Sequence, residues 1–318
     1  MPCGSARCQS KAKLTGKTAI ITGCNTGIGK ETVRDFYKRG AKVIMACRNL
    51  EKAEEAKKDI EDSCKELSDT GVIVVEQCDL SSLKSVREFA QKMLDREPQI
   101  NILVNNAGVM MCPQSETEDG FEMQLGTNHL AHYLLTLLLL PRIKNSTPAR
   151  IVTVSSRAHT VYSINLEDLN FKNRPYNPTE AYSQSKIANI MFSRELAKKL
   201  KNYNIEGVNT YSLHPGVINT ELGRHMNDTL FKGATTLLSM TPCLKTPELG
   251  AQTTIYCAVD EKCANETGLY YSDCKVTTPG RKALKDDDAE KLWDISACLV
   301  GLGDFNPFTA PDNGTLQE

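Results

Sequence analysis

Three glycines lie close together in the segment TGCNTGIGK, residues 22–30, between a short apolar run and a stretch with helical periodicity. A turn between a first strand and a first helix can bind a pyrophosphate, because its amides and the helix N-terminus point at the anion and glycine lets the backbone come close. Gly23, Gly27 and Gly29 are spaced G-x-x-x-G-x-G rather than the more familiar G-x-G-x-x-G. The segment favours a dinucleotide site, with a purely structural glycine turn as the alternative.

The end of the second predicted strand indicates which dinucleotide binds. A dinucleotide fold that prefers NAD places an acidic residue here to hold the ribose hydroxyls. This chain has Cys47 at that point and Arg48 beside it. A guanidinium can pair with a 2′-phosphate, which a carboxylate would repel. We therefore expect NADP(H), with a merely solvated Arg48 as the alternative. Asp79, after the third predicted strand, is a candidate either for the adenine amine or for the start of a helix.

Apolar runs and amphipathic stretches alternate along the chain. The predicted strands are Thr18–Thr22, Lys42–Ala46, Val72–Gln77, Ile102–Asn105, Arg150–Ser155 and Gly207–Leu213. The predicted helices are Gly29–Arg39, Leu50–Leu67, Leu83–Asp95, Phe121–Leu140 (ended by Pro141) and Tyr182–Lys199. Because the connections are short, the predicted fold class is α/β, a Rossmann-type doubly wound parallel sheet in a single domain. We expect this domain to span residues 14–303, between a flexible tail at 1–13 and a disordered tail at 304–318.

Composition excludes several classes of function. The 318 residues are 40% hydrophobic, enough for a sizeable core. A net charge of −1 gives no basic footprint, so we expect no nucleic-acid partner. The twelve cysteines show neither a CxxC pair nor a zinc spacing, and His129 and His132 lack a third ligand, so we expect no metal. With no signal peptide or transmembrane run visible, we expect reduced thiols and a cytoplasmic protein, with membrane association as the alternative.

Three motifs in this order resemble the short-chain dehydrogenase/reductase family: TGCNTGIG, Asn105-Asn106-Ala107-Gly108, and the Tyr182-to-Lys186 segment YSQSK. The segments NNAGVMMCP, HPGV and SDCK are more specifically similar to the NADPH-preferring retinol dehydrogenases of the 11/12/13/14 type, which act as retinal reductases. The resemblance covers about residues 14 to 303. It implies an NADP(H)-dependent oxidoreductase that acts on a small hydrophobic carbonyl or alcohol.

The resemblance implies four catalytic residues. Tyr182 and Lys186 are four residues apart and share one helix face. A nearby ammonium is expected to lower the pKa of the phenol, so that Tyr182 can exchange a proton with the carbonyl oxygen. Ser156, the second serine of a Val-Ser-Ser segment, is expected to polarise that oxygen. Asn128 is expected to kink its helix and to hold a water near the lysine. The alternative for Tyr182 and Lys186 is a pair on the surface of an amphipathic helix. The alternative for Asn128 is a capping or packing role.

Cofactor contacts are expected from loops that follow successive strands. The expected cofactor-binding residues are Gly23, Asn25, Thr26, Gly27, Ile28, Gly29, Arg48, Asn49, Asp79, Leu80, Asn106, Ala107, Gly108, Tyr182, Lys186, Pro215, Gly216, Val217 and Thr220. For the Pro-Gly pair at 215–216, an ordinary strand-to-loop turn is the alternative.

The segment 221–245, called the covering segment below, is expected to lie over the substrate. Its apolar residues suit a retinoid or a fatty aldehyde, and they are Leu222, Met226, Leu230, Phe231, Leu237, Leu238 and Met240. Packing on the domain, or contact with a membrane surface, is the alternative. Many of the similar proteins carry an N-terminal anchor that is not seen here, and many pair as homodimers through the helices bearing Asn128 and Tyr182. The competing functions are a carbonyl reductase for steroids, fatty aldehydes or xenobiotics, and a non-catalytic NADPH-binding protein.

Overall fold

The computed structural model describes residues 6–218, 222–223, 229 and 244–312. The strands are β1 Thr18–Thr22, β2 Lys42–Cys47, β3 Val72–Gln77, β4 Ile102–Asn105, β5 Ala149–Val154, β6 Val208–His214, β7 Leu269–Ser272 and β8 Lys275–Val276. The helices are α1 Gly27–Lys38, α2 Leu50–Cys64, α3 Leu83–Arg96, α4 Met123–Leu125, α5 Ala131–Lys144, α6 Pro178–Asn202, α7 Pro247–Val259 and α8 Asp286–Leu299. A π-helical turn, Gly126–Leu130, joins α4 to α5.

The strands pair into one sheet in the order β3-β2-β1-β4-β5-β6-β7-β8, parallel up to β7 and antiparallel between β7 and β8. Every residue of β1 and β4 is buried, as expected for parallel strands covered on both faces. The strand order reverses between β1 and β4, and such a reversal opens a crevice at the carboxyl ends of the strands. The predicted single-domain, doubly wound parallel sheet is confirmed.

Successive side chains of a strand face opposite layers, and β1 shows how both layers are filled. Ile20 packs in the core that contains α3, α5, α6 and α8. Its neighbours Ala19 and Ile21 pack in the other core, with α1, α2 and α7. The apolar run of β1 therefore holds the two helical layers together, directly beneath the glycine turn.

The predicted end of the long helix at Pro141 is wrong. Helix α5 continues to Lys144 with Pro141 inside it. Proline removes one backbone N–H and usually ends a helix. Here the following turn is fixed by Arg142, whose guanidinium donates to the carbonyls of Leu94 (3.0 Å) and Glu97 and pairs with Asp312. These buried contacts outweigh the single lost helical bond.

Two other helices begin earlier than predicted. Helix α6 starts at Pro178 rather than at Tyr182, because the Asn177 side chain caps it by accepting from the amides of Thr179 (3.0 Å) and Glu180 (3.1 Å). Tyr182 therefore lies in the second turn of a rigid helix rather than at a frayed end. Helix α1 likewise starts at Gly27 rather than Gly29.

The C-terminal segment packs on the domain as far as the structure describes it. Phe308 is buried, and its ring stacks on Tyr203 with 4.7 Å between ring centres and lies 6.1 Å from the ring of Trp293. The nearby Asp312 pairs with Arg142. The expected disorder is therefore not what is seen for residues 304–312.

Residues 6–13 also lie against the domain rather than extending from it. The Arg39 guanidinium donates to the carbonyls of Ser10 (3.0 Å) and Ala12 (2.8 Å). Arg7 pairs with Glu248 of α7 at 2.7 Å. This segment, which forms neither helix nor strand, thus bridges the end of α1 and the start of α7.

Helix α8 covers an outer face of α5 and α6. The Trp293 ring stacks against Phe192 of α6 (5.8 Å between centres) and meets the edge of Tyr133 of α5 (5.0 Å). The Tyr133 hydroxyl donates to the Trp293 carbonyl at 3.1 Å. A homodimer through these helices stays a prediction, and it would need a face other than the one that α8 occupies.

Helix length bears on membrane insertion. The longest described helix, α6, has 25 residues and carries several charged side chains. Within the described ranges, no helix combines the length and the apolar character that a bilayer crossing requires.

We predict that Phe308→Ala lowers the free energy of unfolding by about 2–3 kcal/mol, because it empties an aromatic contact site at the edge of the core. Urea unfolding followed by Trp293 fluorescence measures the change. Thr309→Ala, at the exposed neighbouring position, is the control and should change stability by less than about 0.5 kcal/mol. Equal stabilities for the two variants would show that residues 304–312 do not pack in solution.

Candidate active site

The expected site residues lie at one edge of the sheet. Parallel strands share the direction of their carboxyl ends, so the loops that follow them meet at this edge. Each loop contributes an expected site residue within two positions of the end of its strand, and in order from β1 to β6 these are Gly23, Arg48, Asp79, Asn106, Ser156 and Pro215. The structure therefore brings together sequence segments almost 200 residues apart.

The glycine turn, residues 23–29, is bonded to the loop that follows β4. The Asn106 side-chain amide donates to the carbonyls of Thr22 (2.8 Å) and Gly23 (3.0 Å). Gly23 has φ +60°, and a Cβ at this position would lie 2.6 Å from the Cβ of Ala107. Glycine is required here both by the left-handed backbone and by the approach of the second loop.

The N-terminus of α1 is suited to an anion. Thr26 is its N-cap residue in an extended conformation, yet its side chain caps no amide, and the first turn holds no acidic residue. The first amides of a helix need a partner, and a phosphate at this position satisfies them and the helix dipole. The Asn106 side-chain oxygen is also buried and has no partner among the described residues. These features fit a dinucleotide diphosphate held by the amides of Gly27 to Gly29.

The residues expected near the adenosine differ in whether their side chains already have partners in the protein. Arg48 is exposed at the end of β2 and forms no ion pair with any described residue, so its guanidinium is available to a phosphate. Asn49 and Asp79 have local partners. The Asn49 side chain caps α2 by accepting from the Lys52 amide (2.9 Å), and Asp79 accepts from the amide (2.9 Å) and hydroxyl (2.7 Å) of Ser81.

Tyr182 and Lys186 lie one turn apart on α6, and both are buried. The Lys186 ammonium donates to the Val154 carbonyl at 3.2 Å, and its nitrogen lies 5.6 Å from the centre of the Tyr182 ring. A Cβ at Gly108 would lie 3.5 Å from the same nitrogen. The pair therefore faces the loop after β4, and not solvent as the alternative interpretation required.

The expected lowering of the Tyr182 pKa is wrong for the protein without bound ligands. Burial raises the pKa of Tyr182 to about 12, and a hydrogen bond from Ser156 opposes this only in part. Burial also lowers the pKa of Lys186, to about 8. Desolvation dominates because both groups are enclosed by protein and the ammonium is bonded to a backbone carbonyl.

Ser156, and not Ser155, carries a hydroxyl directed at the tyrosine. The Ser156 hydroxyl lies near enough to Tyr182 to act on its pKa, and it accepts from the Ala158 amide (3.2 Å), which starts a short 3₁₀ turn. The Ser155 hydroxyl instead donates to the Lys186 carbonyl at 2.7 Å and is buried. The two adjacent serines thus have different roles: one faces the site and the other anchors α6 to β5.

Asn128 lies in the π-helical turn and connects three segments. Its side-chain oxygen accepts from the Val109 amide (2.8 Å), and its amide donates to the Val109 carbonyl (2.9 Å) and to the Ser185 hydroxyl (2.9 Å). A Cβ at Gly108 would lie 3.1 Å from that oxygen. The side chain therefore fixes the loop after β4 against α6, and the local widening of the helix gives it the position to do so.

His129 and His132, the two candidate metal ligands, are buried and form hydrogen bonds within the protein. His132 lies with one ring nitrogen 2.8 Å from the Thr22 hydroxyl and the other 3.0 Å from the Asn128 carbonyl. His129 lies 2.9 Å from the Ser296 hydroxyl of α8. Burial lowers the pKa of both imidazoles, so both are neutral and act as hydrogen-bonding links.

His159 supports the site but was not predicted from the sequence. Its Nδ1 lies 2.6 Å from the Ser156 carbonyl, and its Nε2 accepts from the Gly280 amide at 2.8 Å. The imidazole ring therefore links the Ser156 carbonyl to the Gly280 amide and holds the backbone of Ser156 in place. Its only sequence signal is a position three residues after the serine.

The loop after β6 is described only as far as Ile218. Gly216 has φ +103°, and a Cβ there would lie 2.7 Å from the side chain of Lys245, which pairs with Asp273 at 2.6 Å. Pro215 and Val217 flank this glycine at the site edge. Thr220 and, in the covering segment, Met226, Leu230, Phe231, Leu237, Leu238 and Met240 lie outside the described residues.

Comparison with known proteins identifies the family. A family model described as short chain dehydrogenase matches residues 17–230. The chain belongs to the short-chain dehydrogenase/reductase family, and it is an oxidoreductase that uses a nicotinamide cofactor. The glycine turn, the Asn106 loop and the Tyr182–Lys186 pair lie within the matched region.

Proteins that are similar over nearly the whole chain narrow the resemblance to one group within the family. Retinol dehydrogenase 12 of Homo sapiens is 47% identical over 295 residues, which cover 93% of this chain and 90% of the relative. Retinol dehydrogenase 13 of Homo sapiens is 46% identical over 297 residues, with 93% and 88% covered. The crystal structure of an uncharacterised protein from Mycobacterium paratuberculosis is 34% identical, has a TM-score of 0.71, and covers 91% of this chain and 95% of its own. The expected resemblance to the retinol dehydrogenases is confirmed.

We predict that Gly23→Ala costs at least about 2 kcal/mol more stability than Gly120→Ala. Both glycines have left-handed backbones, with φ of +60° and +78°, so each alanine carries a similar backbone cost of about 1–2 kcal/mol. Only the Cβ at position 23 meets another main chain, at Ala107, and overpacking adds to the cost. Chemical denaturation of both variants gives the difference. Equal losses would mean that the two loops are not in contact.

Proposed function

We propose that the protein uses NADPH to reduce a hydrophobic aldehyde or ketone of the retinal type, and that it catalyses the reverse oxidation of the alcohol. The observation that carries this proposal is the neighbouring hydroxyls of Ser156 and Tyr182, with Lys186 one turn away, at the edge where the glycine turn lies. The relatives named retinol dehydrogenases support the substrate class.

The reaction divides between the cofactor and three side chains. The nicotinamide supplies a hydride when bound. The Ser156 and Tyr182 hydroxyls are close enough to bind one carbonyl oxygen together, which polarises the carbonyl. Because burial keeps the Tyr182 phenol protonated at neutral pH, it is in the form that donates a proton to that oxygen.

Lys186 lowers the free-energy cost of proton transfer from Tyr182 to the substrate oxygen. Its buried ammonium lies one turn from the phenol, so its charge opposes the negative charge that is left on Tyr182. With a pKa lowered to about 8, the ammonium can itself give up a proton near neutral pH. Lys186 therefore both stabilises the phenolate and replaces its proton, and it is also expected to hold the ribose hydroxyls of the cofactor.

The choice of NADPH is supported by the end of β2. An acid at this point would repel a 2′-phosphate, and the chain has Cys47 followed by the exposed Arg48 instead. Cellular NADPH is kept mostly reduced, which favours carbonyl reduction.

The apolar composition of the covering segment favours a bulky apolar substrate. At one described point, the Thr229 hydroxyl donates to the carbonyl of Met111 at 2.9 Å. Met111 belongs to the loop that follows β4, a few residues after Gly108. Thr229 therefore lies at the site edge, and the apolar composition of the segment around it suits a substrate that must be kept from water.

We predict that Tyr182→Phe lowers kcat for retinal with NADPH by at least about 10²–10³-fold, because it removes the proton donor. NADPH affinity, measured by fluorescence titration, should stay within about twofold. Tyr203→Phe, far from the site, is the matched control and should keep full turnover. Residual turnover within a factor of ten of the parent protein would reject Tyr182 as the donor. In the same absorbance assay, faster reduction of steroids or fatty aldehydes than of retinal would reassign the substrate.

We predict that Arg48→Glu raises the Kd for NADPH roughly tenfold or more and changes the Kd for NADH much less. The reason is that a charge-assisted contact to the 2′-phosphate is replaced by repulsion, and such a contact is worth about 1.5–3 kcal/mol. Lys291→Glu, on the exposed face of α8, makes the same change in net charge and is the control. An equal loss of affinity for both dinucleotides would contradict the assignment of Arg48.

We predict a fall in kcat/KM for NADPH as the pH rises through about 8, the pKa to which burial lowers Lys186. The sign follows from the cation: below this pH the ammonium is charged and can stabilise the phenolate, and above it the amine is neutral. In Lys186→Arg the group stays charged throughout, so this fall should vanish even if the absolute rate is lower. A flat profile for the parent protein between pH 7 and 9.5 would contradict the role of Lys186.

A further inference from the structure

Three cysteines follow neighbouring strands at the edge that carries the proposed adenosine site. Cys24 lies in the glycine turn after β1, Cys47 ends β2, and Cys78 follows β3. The sulfurs of Cys24 and Cys47 are 3.7 Å apart, and both side chains are buried. Cys47 directly precedes Arg48, and Cys24 directly follows Gly23. The two thiols therefore join the parts of the chain that the proposal assigns to the diphosphate and to the 2′-phosphate.

The two thiols differ in their surroundings. The neighbouring Cys24 sulfur and the nearby backbone amides of Cys24 and Asn25 lower the pKa of Cys47. Burial and the neighbouring Cys47 sulfur raise the pKa of Cys24, whose sulfur lies 3.1 Å from the Ile21 carbonyl. A thiolate is the reactive form of cysteine. Cys47 is therefore placed as the attacking thiol, with Cys24 as its nearest partner.

We propose that Cys24 and Cys47 form an oxidation site in the cofactor turn, at which a hydroperoxide converts the pair to a disulfide that blocks NADP(H) binding. This rests on the proposed function, because it assumes that the glycine turn holds the dinucleotide. The site is reversible, since a dithiol reductant restores both thiols.

The chemistry needs only the two thiols and one peroxide. The Cys47 thiolate attacks a peroxide oxygen, the O–O bond breaks, and hydroxide leaves as water after taking up a proton; the product is a sulfenic acid. The Cys24 sulfur then attacks the Cys47 sulfur, the S–S bond forms, the S–O bond breaks, and a second water leaves with the Cys24 proton. The two cysteines lose two electrons, and the peroxide gains them.

Disulfide formation changes the turn more than the sheet. A disulfide requires the sulfurs to approach to about 2.05 Å, which is well below their present separation. Cys47 belongs to a buried strand hydrogen-bonded on both sides, so most of the movement falls on Cys24 and on the adjoining amide of Asn25. These backbone groups line the expected diphosphate position. Because both sulfurs are buried, a peroxide reaches them only when the turn opens, and a bound dinucleotide would hold the turn closed.

Cys78 provides an internal control. It is buried, and burial raises its pKa to about 12, so its thiol stays protonated. Its backbone amide donates to the Cys47 carbonyl at 3.0 Å. It is therefore a neighbour of the pair that is not expected to react.

The test compares the reduced full-length protein with protein treated with hydrogen peroxide. After tryptic digestion, mass spectrometry should show peptides 18–30 and 43–48 joined with the loss of two hydrogens. The Kd for NADPH, measured by fluorescence, should rise at least tenfold after oxidation and return with dithiothreitol. Prior saturation with NADPH should suppress the cross-link. Absence of the cross-linked peptide at peroxide levels that change NADPH affinity would overturn the proposal.

Variants separate this site from other oxidation. Cys24→Ala and Cys47→Ala are each compared with themselves before and after peroxide, and neither should lose NADPH affinity on oxidation. Cys78→Ala should respond as the parent protein does. Equal sensitivity of Cys24→Ala and the parent would reject the pair, and two variants guard against one that fails to fold. If the reduced parent protein does not bind NADPH, the proposed cofactor is wrong; if it binds but oxidation changes nothing, only the oxidation site is wrong.

Discussion

The Thr22 hydroxyl accepts hydrogen bonds from two consecutive backbone amides, those of Asn106 and Ala107, each at 3.0 Å. This contact joins β1 to the loop after β4 at the point where the strand order reverses. His132 lies against the same hydroxyl from the α5 side, so the contact is backed by a buried ring. The position of this loop beside β1 is therefore held by short, buried side chains that cannot move freely. The glycine at position 23 and the small residue at 107 are consequences of that close approach.

Burial, rather than charge pairing, controls the electrostatics of the site in the protein without ligands. Tyr182 and Lys186 are enclosed together, and each is driven toward its neutral form. A neutral phenol next to an amine that readily loses its proton is a suitable starting state for proton delivery. With a pKa of about 8, Lys186 is still largely an ammonium at neutral pH, so the site holds one buried charge, which the Val154 carbonyl helps to stabilise.

The sequence predicted a parallel sheet covered on both faces and the loops that follow its first six strands, because buried strands and glycine turns leave clear local patterns. It failed where distant contacts override local rules. Pro141 should end a helix, but Arg142 is held by residues of α3 and by Asp312. Residues 304–312 look polar and irregular, yet Phe308 finds an aromatic cluster. The pKa of Tyr182 could not be predicted from its spacing to Lys186, since that value depends on how much solvent the fold removes.

Helix α8 supplies Trp293 to a cluster whose other rings, Tyr133 and Phe192, are about 100 residues or more earlier in the chain. A nascent chain emerges N-terminus first, so the ribosome releases α5 and α6 well before the helix that shields them. Until then, two aromatic faces beside the future site remain exposed to water and to other chains. Efficient production of this protein in a cell therefore requires a chaperone or rapid completion of synthesis to protect those faces during the delay.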